Sequence, residues 1–220
     1  MFWYISEEKL DALHVMKEKK SFWPKTIELT LKEPFTSSEV KLGNDTVSKL
    51  AERLQQVEKI YQSGTILPYE QLSGDVLPQL CTFCGVASRL VDQNAFWVAL
   101  QSNGMALLLV GSATNAIGAH RTESEHISPS ADPITAVRVA FGKTDAALLS
   151  GATMPLERRL SYAWQVVWNA KGNALALPKV SGIAVLANMY SAHKGEMRRA
   201  HAIDVNRLIV ASPVFVRQRD

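Results

Sequence analysis

Residues 96–112 read FWVALQSNGMALLLVGS, and this stretch decides the class of fold. Two apolar runs flank Ser102-Asn103-Gly104, and an Asn-Gly pair supplies the positive-φ positions of a tight hairpin turn. Phe96–Gln101 therefore reads as one strand and Met105–Ser112 as its antiparallel return. Met105–Val110 contains no polar residue, the pattern of a central strand covered on both faces. No uninterrupted apolar run in the chain is longer than its six residues, far short of the roughly 20 that a membrane span needs.

Working outward, Leu80–Val91 reads as a further strand before the hairpin. Two helices follow it. Pro133–Phe141 starts with Asp132 as N-cap and Pro133 at the first helical position. Pro155–Ala170 carries Leu156, Leu160, Ala163, Trp164, Val167 and Trp168 at a period of 3.6, so the two tryptophans read as core. Ile183–Tyr190, Arg199–Asp204 and Leu208–Val216 are read as strands, with turns at Lys194-Gly195 and Asn206. Ahead of the hairpin, Met1–Ser6 reads as a strand and Glu7–Met16 as a helix capped by Ser6. Lys25–Lys32 alternates like a strand, Asp45–Gln62 has a helical stripe, and Pro68–Pro78 reads as a loop. Helices come in clumps and strands in hairpins. The expectation is an α+β fold: one domain over 1–220, a mainly antiparallel sheet built from hairpins, with three to four helices packed on it. Leu107–Ser112 and Leu208–Ser212 echo each other, so a pseudo-repeat of hairpin plus helix, about 80–141 and 155–216, is a further expectation.

The 220 residues carry 24 Lys and Arg against 21 Asp and Glu, an excess too small for a nucleic-acid footprint, so nucleic acid is not an expected partner. Residues 191–220 hold six basic and three acidic side chains, which is the whole excess. This basic strip reads as a solvated hairpin and tail or as a surface for an acidic partner. The N-terminus has neither a basic start nor a long apolar core, so it does not read as a signal peptide, and a cytoplasmic location is expected. Both cysteines lie in Cys81-Thr-Phe-Cys84. On a strand, positions i and i+3 point to opposite faces, which suits two separate buried thiols better than a shared metal.

Three motifs run the length of the chain: Tyr4-Ile5-Ser6-x-x-Lys9-Leu10, Val110-Gly111-Ser112 followed by Ile117-Gly118, and Ser212-Pro213-Val214-Phe215-Val216. In these the sequence resembles a bacterial, mainly actinobacterial, family of cytosolic proteins of similar length, to which no activity is attached. Val214-Phe215 departs from that family's usual Leu-Tyr. The resemblance implies one cytosolic domain and no particular chemistry.

The first candidate site is the connection Gly111–Asp132. It leaves a buried strand and enters a helix N-terminus, where backbone N–H groups point outward. Gly111 and Gly118 would let backbone approach a ligand, and Ser112, Thr114, Asn115, Ser128 and Ser130 would supply neutral hydrogen bonds. Arg121 would face a phosphate or carboxylate. Asp132 at the cap opposes an anion at that spot. This set suits a small anionic metabolite or nucleotide; a plain surface loop is the bland reading. A catalytic version would use His120, His126 and Glu123 as an acid/base or metal cluster, but no enzyme signature and no metal-ligand spacing is present. Ser6 and Lys9, at a strand-to-helix junction, form a second candidate anion site. The expectations are thus a cytosolic sensor-type binding domain with no cofactor or metal, a scaffold that meets a protein partner or its own copy, or a hydrolase or lyase using the loop histidines.

Overall fold

The Asn103-Gly104 turn forms with both residues at positive φ, 47° and 76°. The computed structural model describes residues 1–18, 52–57, 59, 66–72, 80–92, 94–117, 132–141, 154–170 and 177–219. It contains strands β1 (Phe2–Ile5), β2 (Leu80–Val91), β3 (Ala95–Ser102), β4 (Met105–Ser112), β5 (Lys179–Ser191) and β6 (Arg207–Arg219). The helices are α1 (Glu7–Glu18), α2 (Pro133–Ala140), α3 (Leu156–Asn169) and α4 (Lys194–Arg199). Single 3-10 turns lie at Tyr69–Gln71 and Ala113–Asn115. The expected strand Lys25–Lys32 and most of the expected helix Asp45–Gln62 lie outside the described residues; 52–57 are helical.

The chain falls into two compact units: Met1–Ser6 with Ile66–Asp220, and Glu7–Thr65. In the second, α1 carries Asp11, which meets Arg53 at 2.7 Å. Both side chains are substantially exposed, so the pair contributes little.

The mixed α+β class holds, but the first unit is built on a closed, partly parallel barrel, which corrects the expectation of a mainly antiparallel sheet built from hairpins. The order is β2-β3-β4-β6-β5, and β5 returns to β2. Four of the pairings are antiparallel, but β4 and β6 run parallel, with Met105 opposite Arg207 and Leu109 opposite Ala211. Counting barrel strands from one to five, the order is 1-2-3-5-4-1, that of OB-type Greek-key barrels. β2 serves two neighbours: Leu80–Val86 pairs with β5 and Ala87–Val91 with β3. β1 adds to the edge of β6 beyond the reach of β4, with Phe2 opposite Arg217 and Ile5 opposite Phe215.

Closure explains the apolar runs. In β4, Leu107 and Leu109 belong to the cluster inside the barrel, while Ala106, Leu108 and Val110 belong to a second cluster under the helices. β3 and β6 divide the same way: Val98, Leu100, Ile209 and Ala211 go inward, and Trp97, Ala99, Leu208 and Val210 go outward. Strands wrapped on both faces need no polar alternation. The echo between Leu107–Ser112 and Leu208–Ser212 accordingly falls on two adjacent parallel strands that share one environment.

The outer layer is held by α3. Leu160, Ala163, Trp164 and Val167 are fully buried on it. Trp164 stacks on Trp168 at 5.3 Å and donates its Nε1–H to the Leu100 carbonyl at 3.0 Å. The expected strand Arg199–Asp204 is not formed; α4 and a turn occupy that stretch. Its reason is a buried carboxylate. Glu196 is 1% exposed and is held at 3.0 Å by Arg158 of α3 and by Arg199, which locks α4 against α3. α4 ends into His201 at φ 56°, a left-handed position usually filled by glycine.

Gly182 marks the tightest point of the barrel. A Cβ there would overlap the Phe215 carbonyl oxygen and lie 2.5 Å from Phe83 Cζ. The missing side chain lets β5 bend between β2 and β6 while the Phe83 ring lies over the gap.

Candidate functional site

Both barrel ends are filled by aromatic side chains. At one end, a register shift in β1 between Phe2 and Tyr4 lets Trp3 and Tyr4 both join the interior cluster. Regular alternation would have pointed them apart. Tyr4 is fully buried and stacks on Phe96 at 5.0 Å. At the other end, Tyr69 and Leu72, from the stretch read as a loop, enter the same cluster beside Phe83 and Leu100. A barrel of five strands filled in this way is a packed core and not a ligand cavity.

Against this frame the candidate residues fall in separate places. Gly111 lies at the end of β4, but the space its side chain would fill belongs to Tyr4. A Cβ there would lie 2.6 Å from the Tyr4 ring. Next to it Ser112 and Thr114 share a hydrogen bond of 2.8 Å between their hydroxyls, both on the exposed side of the Ala113–Asn115 turn. The Asn115 side-chain amide donates to Tyr4 Oη at 3.3 Å. The chain beyond is tied to β1 by the Ile117 N–H donating to the Trp3 carbonyl at 2.9 Å. The turn is thus pinned to the barrel end by a buried aromatic ring.

The connection re-enters the described residues at Asp132, some distance away. α2 starts there near Tyr190, whose phenol is raised by burial, with Glu157 and Asp132 adding and Asn188 and Arg138 opposing. Tyr190 is opposite Leu208, which is opposite Ala106. Ala106 is six residues from Ser112 on β4, or about 20 Å along the strand. α2 ends at the far side of the wall, where Phe141 meets Trp97 edge-on at 5.2 Å. The two described ends of the connection, Ser112 and Asp132, therefore lie toward opposite ends of the barrel wall. At α2 the anion-binding N–H groups are already taken. Asp132 Oδ1 accepts from Ile134 N at 3.1 Å and from Thr135 N at 2.9 Å. Burial tends to raise this carboxyl, but the Thr135 and Ile134 hydrogen bonds and Arg138 together hold it below its ordinary value. Gly118, His120, Arg121, Glu123, His126, Ser128 and Ser130 lie outside the described residues.

Ser6 is buried, and its N–H donates to the Val214 carbonyl at 2.9 Å. Lys9 is in the other unit, where burial lowers its ammonium to about 8, Glu8 opposing. The two cysteines lie on opposite faces of β2 and are not bonded to each other. Cys81 is buried and pushed up to about 12, first by burial and then by Glu70. Cys84 is exposed, which corrects the expectation of two buried thiols. Among the described residues, no three His, Cys, Asp or Glu side chains group as metal ligands, and no helix is long and apolar enough to cross a membrane.

A family model covers residues 1–220. The chain belongs to DUF7019, a family of unknown function. No curated protein and no solved structure matches it. The family match spans both compact units.

Proposed function

We propose that the chain is a binding module for a small anionic molecule, a nucleotide or a phosphorylated metabolite, taken by the Gly111–Asp132 connection. The observation that carries this is the Ser112–Thr114–Asn115 turn. Its two hydroxyls bond each other and its Asn115 amide bonds the phenol of the buried Tyr4, where the long connection begins. Long connections in a compact domain are commonly functional. Polar groups already held in place lose less freedom when they meet a ligand. Arg121 is the charge proposed to meet the anion, and His120, Gly118, Ser128 and Ser130 would line the same connection.

The rest of the barrel supports the choice. The interior is filled, and the outer face of β3 and β4, the face by which OB-type barrels bind oligonucleotides, is buried under α3. The test is equilibrium binding of a nucleotide panel to the wild type and to Asn115→Ala and Arg121→Ala. Loss of binding in folded variants supports the proposal; equal affinity in all three refutes it.

A protein-interaction role is the second reading. Val139 of α2 and Ile203 of the α4–β6 turn are 76% and 71% exposed. Oligomeric state by light scattering, in wild type and in Val139→Ser/Ile203→Ser, separates the two readings.

A further inference from the structure

We propose that Ile66–Leu72 is a releasable stopper in one end of the barrel, held shut while Glu70 carries its proton, and that its release uncovers Cys81. The attachment of this segment is uneven. Its anchors are apolar: Tyr69 is fully buried, Leu72 is 1% exposed and Ile66 is 7% exposed. Among the described residues its backbone attachment to the barrel is slight. Pro68 makes one parallel bridge to Thr82, and the Thr82 N–H donates to the Leu67 carbonyl at 3.0 Å. Among the described residues the 3-10 turn closes on itself, through Gln71 N to Pro68 O and Leu72 N to Tyr69 O.

The polar groups at this end are poorly matched. Tyr69 Oη is buried with the Ser102 hydroxyl near it, but among the described residues it forms no hydrogen bond of good geometry. A buried hydroxyl without a well-formed hydrogen bond weakens the seated form. Glu70 is half-buried near Ser102 and Tyr69, and charge on the Cys81 or Cys84 thiol of β2 would oppose ionisation of that phenol. No ion pair to Glu70 is present among the described residues. Its carboxyl is raised above its ordinary 4.5, mainly by burial, against the hydrogen bonds from its own backbone and from Ser102.

The sign of the effect follows. The seated form prefers the protonated carboxyl, so its extra stability is fully present below about 4.5 and is lost as pH rises through the raised value. Each unit of upward displacement multiplies the open population about tenfold across that window.

Cys81 is the reporter, because it is fully buried in the same cluster as Tyr69 while Cys84 is exposed. The experiment labels the native protein with 4,4′-dithiodipyridine, which reacts at acid as well as neutral pH. Cys84 reacts in the fast phase, and the slow phase reads Cys81. Dividing by the rate in denatured protein at each pH removes the intrinsic titration of the thiol. Protection of Cys81 is expected to fall severalfold between pH 4.5 and pH 8 in the wild type, and to stay level in Glu70→Gln. Ser102→Ala, which removes a neighbour that favours the carboxylate, is expected to lower protection further at pH 8. Identical pH profiles in wild type and Glu70→Gln overturn the proposal. So does a Cys81 rate whose urea dependence equals that of global unfolding, since the thiol would then be reached only through the unfolded chain.

Discussion

Adding one methyl group at Gly182 should break the barrel where three strands meet. The alanine Cβ would overlap the Phe215 carbonyl oxygen, lie 2.5 Å from Phe83 Cζ and lie 3.1 Å from the Phe215 carbonyl carbon. A flexible side chain can give way, but a carbonyl inside a strand pair cannot. β5 is held on both sides here, with Gly182 opposite Phe83 of β2 and Val216 of β6. Overpacking in a well-filled core costs about 1–3 kcal/mol, and a backbone clash belongs at or above the top of that range. A loss of about 3 kcal/mol would consume a large share of a stability that is typically about 5–15 kcal/mol. At this size it should lower Tm by roughly 6–12 °C. Urea and thermal unfolding of Gly182→Ala give the number, and Gly85→Ala is the internal control. Gly85 is on β2 in the same barrel, but the nearest atom to its added Cβ is Leu100 Cδ2 at 4.0 Å. The control should stay within about 0.5 kcal/mol of wild type, or gain slightly from reduced freedom of the unfolded chain. If the two variants are equally stable, the closed pairing of β5 with both β2 and β6 is refuted.

Gly111→Ala should destabilise by about 1–3 kcal/mol by pressing on the Tyr4 ring. The double variant with Tyr4→Leu should lose less than the two singles combined, and strict additivity in a double-mutant cycle would contradict the contact. Glu196→Gln should cost about 1–3 kcal/mol. It weakens the buried end of the Arg158 and Arg199 pairs while leaving two half-exposed cations that water can solvate; unchanged urea midpoints would show that α4 is not held by this carboxylate. Asp132→Ala removes the α2 cap and should cost about 1 kcal/mol. Because Asp132 is held below its ordinary value, its contribution is present above about pH 4 and is lost as pH falls; the gap between variant and wild type must therefore narrow in acid.

The hairpin at Asn103-Gly104, the caps at Asp132 and Pro133, and the apolar stripe of α3 were legible because each is a local signal. Barrel closure was not, since it rests on the parallel pairing of β4 with β6, about 100 residues apart. Met105–Val110 showed that a strand is covered on both faces, but not by what. Trp3 and Tyr4 were misleading neighbours, because a register shift turns both inward. Tyr69 and Leu72 sit between prolines, where periodicity is silent, and are core all the same. α4 was hidden by a glycine in its first turn and a histidine at its left-handed end, with Arg158, the partner of its Glu196 carboxylate, 38 residues upstream. At the candidate site, hydroxyls and glycines gave the residue types. That Gly111 admits Tyr4, and that Ser112 and Asp132 stand at opposite ends of the wall, are tertiary facts that no local pattern contains.

The most direct measurement is a thermal-shift titration of the full chain with mono-, di- and cyclic nucleotides, ADP-ribose and common phosphorylated metabolites. A ligand at 100 times its Kd adds about 2.7 kcal/mol, or roughly 5–10 °C for a chain of this size. The account predicts such a shift from one chemical class, and its disappearance in Arg121→Ala and Asn115→Ala at unchanged basal Tm. A flat response to every compound, or a shift that survives both substitutions, would contradict binding at the β4–α2 connection.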